Sequence, residues 1–194
     1  MKIKYLLIIL FVVVNCKKDN DAEFLKAAKK FQYKLNIEFL DKKSSPLKEE
    51  NFKQFKGLDY FPIQYKYRIK ANFMPTPNGK EFDMLTTTSR LAKYIKYGVA
   101  YFTFEDKNLK LSIYQNIEGV KHLFLPYFDK TSGKENYSGG KYIEINEPVD
   151  NIIIIDFNQS YNPYCAYNEK YSCPIPPDEN YLDVEIKAGV KKFH

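Results

Sequence analysis

The sequence predicts a mostly β protein, an antiparallel barrel or a strongly curved sheet of about nine strands preceded by two N-terminal helices. A period-of-two alternation begins near Ile63, and turn residues separate the short apolar runs that follow. These runs do not alternate with helical segments, which argues against a parallel α/β sheet. With 44% hydrophobic and 16% aromatic residues, the 194-residue chain can bury the core of one domain, so disordered and fibrous classes are excluded.

The first sixteen residues resemble a bacterial lipoprotein signal. Lys2 and Lys4 precede the apolar run 6–14, which is too short to span a bilayer, and Cys16 follows it. We therefore expect a signal peptide over 1–15, lipidation of Cys16, a tether over 16–22 and a single family domain over 23–194. The alternative is an ordinary signal peptide with an incidental cysteine.

The expected location is the cell envelope, as an outer-membrane lipoprotein. Lys17 stands where an inner-membrane retention signal would have Asp, and the acidic residues after it resemble surface-export tethers. We expect the protein to be attached to the membrane by a lipid anchor at Cys16. The formal charge of +6 does not predict a nucleic-acid surface, since Arg68 and Arg90 are the only arginines and the lysines are mixed with acidic residues.

Two helices are expected before the strands. Asn20 and Glu23 form a capping-box pattern, followed by an apolar stripe at helical spacing, Phe24, Ala28, Phe31, Leu35 and Phe39. Ser45 and Pro46 predict the start of a second, short helix that ends at Gly57. The first helix is either a core element or a clamp over a sheet edge or barrel mouth.

Nine strand-like segments follow, separated by turn residues such as Gly98 and the triplet 106–108. They span residues 63–73, 82–86, 91–97, 99–105, 109–115, 122–126, 141–145, 151–157 and 181–187.

A spaced signature in the last third of the chain resembles a known family. It runs from Asp156-Phe157-Asn158 through Tyr161-Asn162-Pro163-Tyr164-Cys165-Ala166-Tyr167 to Cys173-Pro174 and Asn180. The similarity is to the bacterial and archaeal domain-of-unknown-function family one-six-eight-four, and it extends over nearly the whole mature chain. Lys141 stands where that family usually has Arg. The resemblance implies no assigned chemistry and no cofactor.

Cys165 and Cys173 are separated by seven residues. This spacing matches no zinc-ribbon pattern, and no further Cys or His cluster completes a four-ligand site, so no metal is expected. In an exported protein the pair can close a nine-residue loop as a disulfide, which is the favoured interpretation. Two free thiols are the alternative.

Four carboxylates in the polar-aromatic region are candidates for acid–base chemistry: Asp129, Glu135, Asp156 and Glu179. Two of them brought together could hydrolyse a glycoside, one protonating the leaving oxygen and the other activating water or attacking the sugar. The alternative is structural, since polar residues at strand ends cap turns and bond the backbone of loops. His122 is interpreted as a structural histidine, with a general base as the alternative.

Amide, phenol and charged groups in the same region suit a pocket for a polar ligand. The candidate ligand-binding residues are Arg90, Glu135, Tyr137, Asn158, Tyr161 and Asn162. The alternative is a set of tyrosines and hydroxyls that line strand faces. We therefore expect noncatalytic binding of a small polar or carbohydrate ligand at the envelope. An envelope hydrolase with paired carboxylates and a structural partner in an envelope complex are the alternatives.

Overall fold

The structure, a computed structural model, describes the backbone of residues 3–118 and 122–193 and the side chains of residues 22–118 and 122–193. The Cys16 side chain therefore lies outside the described part. Two helices, α1 (Ile3–Leu40) and α2 (Glu49–Phe52), precede the strands. The strands are β1 (Arg68–Pro75), β2 (Glu81–Leu85), β3 (Leu91–Phe104), β4 (Lys107–Asn116), β5 (Leu123–Asp129), β6 (Lys141–Ile145), β7 (Ile152–Asp156) and β8 (Tyr181–Leu182).

The strands form one strongly curved sheet, a half-barrel, which confirms the predicted fold class. Its order is β6-β5-β4-β3-β1-β7, with antiparallel pairing along this path. β2 adds to the first half of β3, and the short β8 runs parallel to β5. The edge strands of the path, β6 and β7, come close to each other without forming a ladder. The curvature therefore brings together two edges that are far apart in the strand order.

The described part of the chain has eight named strands, because two predicted strands are one. Both predicted segments, 91–97 and 99–105, fall in β3, which ends at Phe104, and a β-bulge between Lys96 and Gly98 interrupts its register with β4. An extra residue in one strand reverses the side-chain alternation. In a regular strand, residues six positions apart would face the same side of the sheet. Because of the bulge, Tyr94 faces the opposite side from Ala100. Gly98 marks this bulge and not a turn.

Other predicted boundaries also differ from the structure, among them the start of the strand predicted over 63–73, which begins at Arg68. The first helix is continuous from Ile3 to Leu40 and does not begin at Asn20. The second covers only Glu49–Phe52, since the backbone of Lys48 is still extended. The segment 181–187 pairs at Tyr181 and Leu182 alone, although alternate side chains beyond them stay buried. The alternation of apolar and polar residues over 183–187 therefore reflects alternating burial, and it wrongly predicted a longer strand.

The main core fills the concave face of the sheet with aliphatic and aromatic side chains from β1, β3, β4, β5, β6 and β7. A second aromatic cluster lies on the opposite face, beneath the long segment 158–180. Helix α1 packs its predicted stripe onto the protein, with Phe24, Ala28 and Phe39 buried. Phe31 contacts Tyr161, and Phe39 contacts Tyr167 with ring centroids 4.7 Å apart. Among the described residues, no helix has the length and hydrophobicity that a membrane crossing requires.

Candidate functional site

A cleft of about 630 Å³ lies where the edge strands β6 and β7 approach each other, and we call it the seam cleft. Helix α1 contributes its residues Glu23, Phe24 and Ala27. The other lining residues are Tyr65, Arg68, Ile143, Glu144, Asn146, Glu147, Val149, Ile152, Ile154, Asp156 and Gln159. Helix α1 is thus the clamp over a sheet edge that the sequence left open as one alternative.

The charged groups of the seam cleft are mainly acidic. Among the described residues that line it are four carboxylates, Glu23, Glu144, Glu147 and Asp156, and one cation, Arg68. Among the described residues, Glu23, Glu147 and Arg68 form no ion pair within 4.0 Å. The seam cleft therefore offers two carboxylates and one guanidinium that are not engaged with each other.

Apolar groups form the remaining walls of the seam cleft. The rings of Phe24 and Tyr65 meet edge to face, with centroids 5.5 Å apart. Tyr65 is 54% exposed and Val149 is 71% exposed, so both present apolar surface to solvent. A ligand could therefore contact flat apolar surface while its polar groups reach the carboxylates.

Asp156 is the predicted candidate that lines this cleft, and its carboxylate is already engaged. Its Oδ1 accepts bonds from the backbone N of Asn158 at 3.1 Å and from Asn158 Nδ2 at 2.8 Å. Its Oδ2 accepts a bond from Gln159 Nε2 at 2.9 Å. Asp156 thus caps the turn that follows β7, as the structural alternative proposed.

Glu144 connects the seam cleft to the family signature. Its Oε1 accepts a bond from the Tyr161 hydroxyl at 2.8 Å, and its Oε2 lies 3.4 Å from His122 Nε2. Burial raises the pKa of Tyr161 well above its ordinary value, and Glu144 adds to the shift. The phenol therefore stays protonated and donates to the carboxylate at neutral pH.

The other three predicted carboxylates have separate surroundings. Buried Asp129 accepts bonds from the backbone N and hydroxyl of Thr131, at 2.7 and 2.5 Å. Glu135 pairs with Lys187 at 3.1 Å, and this bond holds the pKa of Glu135 below its ordinary value.

Glu179 accepts bonds from Lys96 and from the Tyr114 hydroxyl, at 2.8 and 2.5 Å. Burial acts to raise the pKa of Glu179, but the bonds from Lys96 and Tyr114 outweigh it and leave the pKa lowered. Each predicted carboxylate thus has its own set of partners.

The two predicted asparagines hold backbone segments in place. Buried Asn158 exchanges two bonds with the backbone of Gln64, each of 3.0 Å, which fixes the chain just before β1. Buried Asn162 donates to the backbone O of Lys191 at 2.8 Å, and its Oδ1 has no hydrogen-bond partner among the described residues. Neither residue lines the seam cleft.

Arg90 lies in a hydroxyl cluster formed with the segment 158–180. Its guanidinium donates to the hydroxyl and backbone O of Ser172, at 3.1 and 3.0 Å. The Ser172 hydroxyl also bonds Thr86 and Thr88, at 2.9 and 2.7 Å. This cluster fastens the segment to the connection between β2 and β3.

Cys165 and Cys173 are neighbours and free thiols, in contrast to the expected disulfide. The Cys173 sulfur instead accepts a hydrogen bond of 3.2 Å from the backbone N of Cys165. The Tyr137 hydroxyl lies 3.9 Å from the Cys165 sulfur. Tyr137, predicted to bind a ligand, therefore faces the thiol pair and not the seam cleft. No group of three or more metal-binding side chains occurs among the residues that the structure describes.

A second groove of about 440 Å³ lies beside the turn between β3 and β4 and the segment 183–187, and its charges are paired. Asp183 bonds Lys107 and Lys130, each at 2.7 Å, and Glu185 bonds Lys187 at 3.1 Å. These pairs leave fewer charged groups available than the seam cleft has.

Sequence reasoning missed most of the seam cleft. Glu23, Arg68, Glu144 and Glu147 come from three distant parts of the chain, and only Glu23 belongs to a motif, a helix-capping pattern. The available signal was the apolar run 152–155 of β7 beside the polar residues 146–151, but nothing local indicates that β7 lies next to β6.

Comparisons with known proteins give a family and a fold. A family model described as "Protein of unknown function (DUF1684)" matches residues 53–191. The chain is similar to the solution NMR structure of an uncharacterised protein from Haloarcula marismortui, with a TM-score of 0.73 and 28% sequence identity. That alignment covers 89% of this chain and 96% of the other. A search of curated proteins gives no match.

Proposed function

This chain belongs to the DUF1684 family of proteins of unknown function, and we propose that its seam cleft binds a small polar ligand of the carbohydrate class without chemical turnover. The observation that carries this proposal is that Glu23, Glu147 and Arg68 line a cleft with aromatic surface and form no ion pair among the described residues. Both features are typical of sites that hold small polar molecules.

The charge of the cleft selects ligands that carry hydrogen-bond donors. Carboxylates accept hydrogen bonds and donate none when ionised, so an acidic lining favours hydroxyl and ammonium groups. Arg68 provides one donor group for an acceptor on the ligand. We therefore expect an amino sugar to bind more tightly than a neutral sugar, and a sugar acid to bind least.

The four carboxylates predicted from the sequence are not brought together in the seam cleft. A glycoside hydrolase needs two carboxyl groups on opposite sides of the scissile bond. Of the four candidates, Asp156 alone lines the cleft, and its oxygens are bonded to Asn158 and Gln159. Asp129, Glu135 and Glu179 have partners elsewhere, so the hydrolase alternative has less support.

A titration with three related sugars tests the proposal. Glucosamine, glucose and glucuronic acid share a ring but differ in charge at neutral pH. We expect isothermal titration to give the tightest binding for glucosamine and the weakest for glucuronic acid. Glu147→Gln should weaken glucosamine binding by roughly fivefold, about 1 kcal/mol, because one carboxylate acceptor is neutralised.

Glu81→Gln is the matched control for this titration. Glu81 is exposed on β2, does not line the seam cleft, and loses the same charge in the variant. The control should bind glucosamine like the wild type. Equal affinities for the three sugars, or no binding of any, would contradict the proposal and would favour a structural role in an envelope complex.

We also propose that the chain is anchored to the outer membrane through Cys16, on the basis of the N-terminal pattern alone. In a Gram-negative host fed an alkyne-labelled fatty acid, the wild type should carry the label, and Cys16→Ser should not. Cys165→Ser is the control and should keep the label. A labelled Cys16→Ser protein would contradict the proposed anchor.

A further inference from the structure

The segment 158–180 carries a pair of thiols that the seam cleft does not use. Cys173 is buried, with 7% of its surface exposed, whereas Cys165 is only partly buried. The hydrogen bond of 3.2 Å from the Cys165 backbone N to the Cys173 sulfur places the Cys173 thiol beside Cys165. One thiol is therefore more accessible, and the other lies directly behind it.

The backbone around Cys173 is held by bonds that do not involve either sulfur. The Cys173 backbone N donates to the Thr87 hydroxyl at 3.1 Å, and the Cys173 backbone O accepts from the Thr87 backbone N at 2.9 Å. The Tyr142 hydroxyl donates to the backbone O of Pro174. Cys165 lies in the turn Tyr164–Ala166, which is held by its own backbone hydrogen bonds. These contacts keep the two cysteines together whether or not their sulfurs are joined.

The Tyr137 hydroxyl lies 3.9 Å from the Cys165 sulfur, and the Cys173 thiol lies beside it. Interaction with the Cys173 thiol has the largest effect and lowers the pKa of Cys165 below its ordinary value, against burial, which acts to raise it. Tyr137 and Thr87 lower this pKa further. Interaction with Cys165, together with burial, raises the pKa of Cys173. The other titratable or charged groups near the pair are Tyr142, Tyr164 and, through Ser172, Arg90.

We propose that Cys165 and Cys173 form a dithiol pair that exchanges with small-molecule disulfides, with Cys165 as the nucleophile and Cys173 as the resolving thiol. The Cys165 thiolate attacks one sulfur of the disulfide, forms a mixed disulfide and releases one thiolate. Cys173 then loses its proton and attacks the Cys165 sulfur, which releases the second thiolate. The protein loses two protons and two electrons, and the small disulfide takes them up and is reduced to two thiols.

The proposed roles account for the differences in exposure and pKa between Cys165 and Cys173. Attack needs a thiolate with access to solvent, and resolution needs a second thiol close enough to reach the mixed disulfide. The inference does not depend on ligand binding in the seam cleft, which other residues line.

The test uses the full chain with Cys16→Ser, which leaves two cysteines out of three. After incubation with oxidised glutathione, we expect an internal disulfide: no alkylation in intact mass, and two labels after dithiothreitol. With Cys173→Ser added, the glutathione adduct should accumulate on Cys165. With Cys165→Ser added, Cys173 should remain largely unmodified. Two alkylated thiols after oxidation, or an adduct that forms first on Cys173, would overturn the proposal.

The rate of alkylation provides a second readout that needs no cysteine variant. At pH 6, Cys165 should react roughly tenfold faster than an ordinary thiol, because its larger thiolate fraction outweighs its lower intrinsic nucleophilicity. Tyr137→Phe should shift the pH midpoint of Cys165 alkylation upward. Tyr171→Phe is the matched control, since Tyr171 packs on Tyr164 and is not among the groups that lower this pKa. A Cys165 midpoint at the value of an ordinary thiol would overturn the role of Cys165 as nucleophile.

Discussion

At the scale of single residues, buried polar side chains fasten the C-terminal segment to the sheet. Lys141 is fully buried, and its Nζ donates to the backbone O atoms of Ala188 and Val190, at 2.5 and 2.8 Å, and to Asn136 at 3.3 Å. Asn136 Nδ2 in turn donates to the backbone O of Ile186 at 3.2 Å. Burying a cation is costly even with these partners.

Lys141 should make the stability of the protein depend on pH. Burial lowers the pKa of Lys141 from its ordinary value of 10.5 to about 7, and Asp129 partly opposes this effect. Between these two pH values the unfolded chain binds more protons than the folded one, so stability should rise with pH. The slope is at most about 1.4 kcal/mol per pH unit.

Urea unfolding at pH 7, 8 and 9 measures this dependence. The free energy of unfolding of the wild type should rise relative to that of Lys141→Met, which has no titrating group at this position. The exposed Lys110 provides the control, since Lys110→Met should run parallel to the wild type. Parallel curves for Lys141→Met and the wild type would show that Lys141 does not titrate in this range.

At the scale of secondary-structure elements, local patterns predicted which residues face the protein. The apolar stripe of α1 and the strand alternation reflect periods of 3.6 and 2, which can be read from a single sequence. Strand boundaries were less predictable. Gly98 could mark a turn or a bulge, and the pairing with β4 decides between them.

The apolar stripe of α1 predicts that replacing Phe39 destabilises the protein, and Ile37, two residues before it, provides the control. Phe39 is 1% exposed and packs against Tyr167 and Phe55, whereas Ile37 is 49% exposed. Phe39→Ala should lower the free energy of unfolding by roughly 3–4 kcal/mol because it leaves a cavity. Ile37→Ala should change it by less than about 0.5 kcal/mol. Similar losses for the two variants in chemical denaturation would contradict the docking of α1.

The bulge at Gly98 gives a second prediction at this scale. A Cβ at this position would lie 2.6 Å from the backbone O of Met74 and closer still to the Phe73 ring. Gly98→Ala should therefore lower the free energy of unfolding by about 2 kcal/mol through overpacking. At Gly133 a Cβ would meet no heavy atom closer than 3.9 Å, but φ is +82°. Gly133→Ala should cost only about 1 kcal/mol, from backbone strain. A Gly98→Ala protein as stable as the wild type would contradict the tight approach of β1 and β3.

At the scale of the whole molecule, the sequence predicted a curved β sheet but not where its edges meet. The seam cleft depends on the contact between β6 and β7, which no short motif encodes. The signature residues were candidates for a site because they are polar and closely spaced in the sequence. In the structure Asn158 and Asn162 hold backbone segments, and Tyr161 bonds Glu144 at the border of the cleft. A residue type indicates what a side chain can do, but the fold decides which partners it has.

The central claim is that the seam cleft is the ligand site, and mapping amide chemical shifts during a glucosamine titration tests it most directly. Saturable shifts should concentrate on residues 23–27, 65–68, 143–149 and 152–159, and they should be smaller with glucuronic acid. Saturable shifts centred on Arg90 and Ser172, or no saturable shifts with either sugar, would contradict the claim.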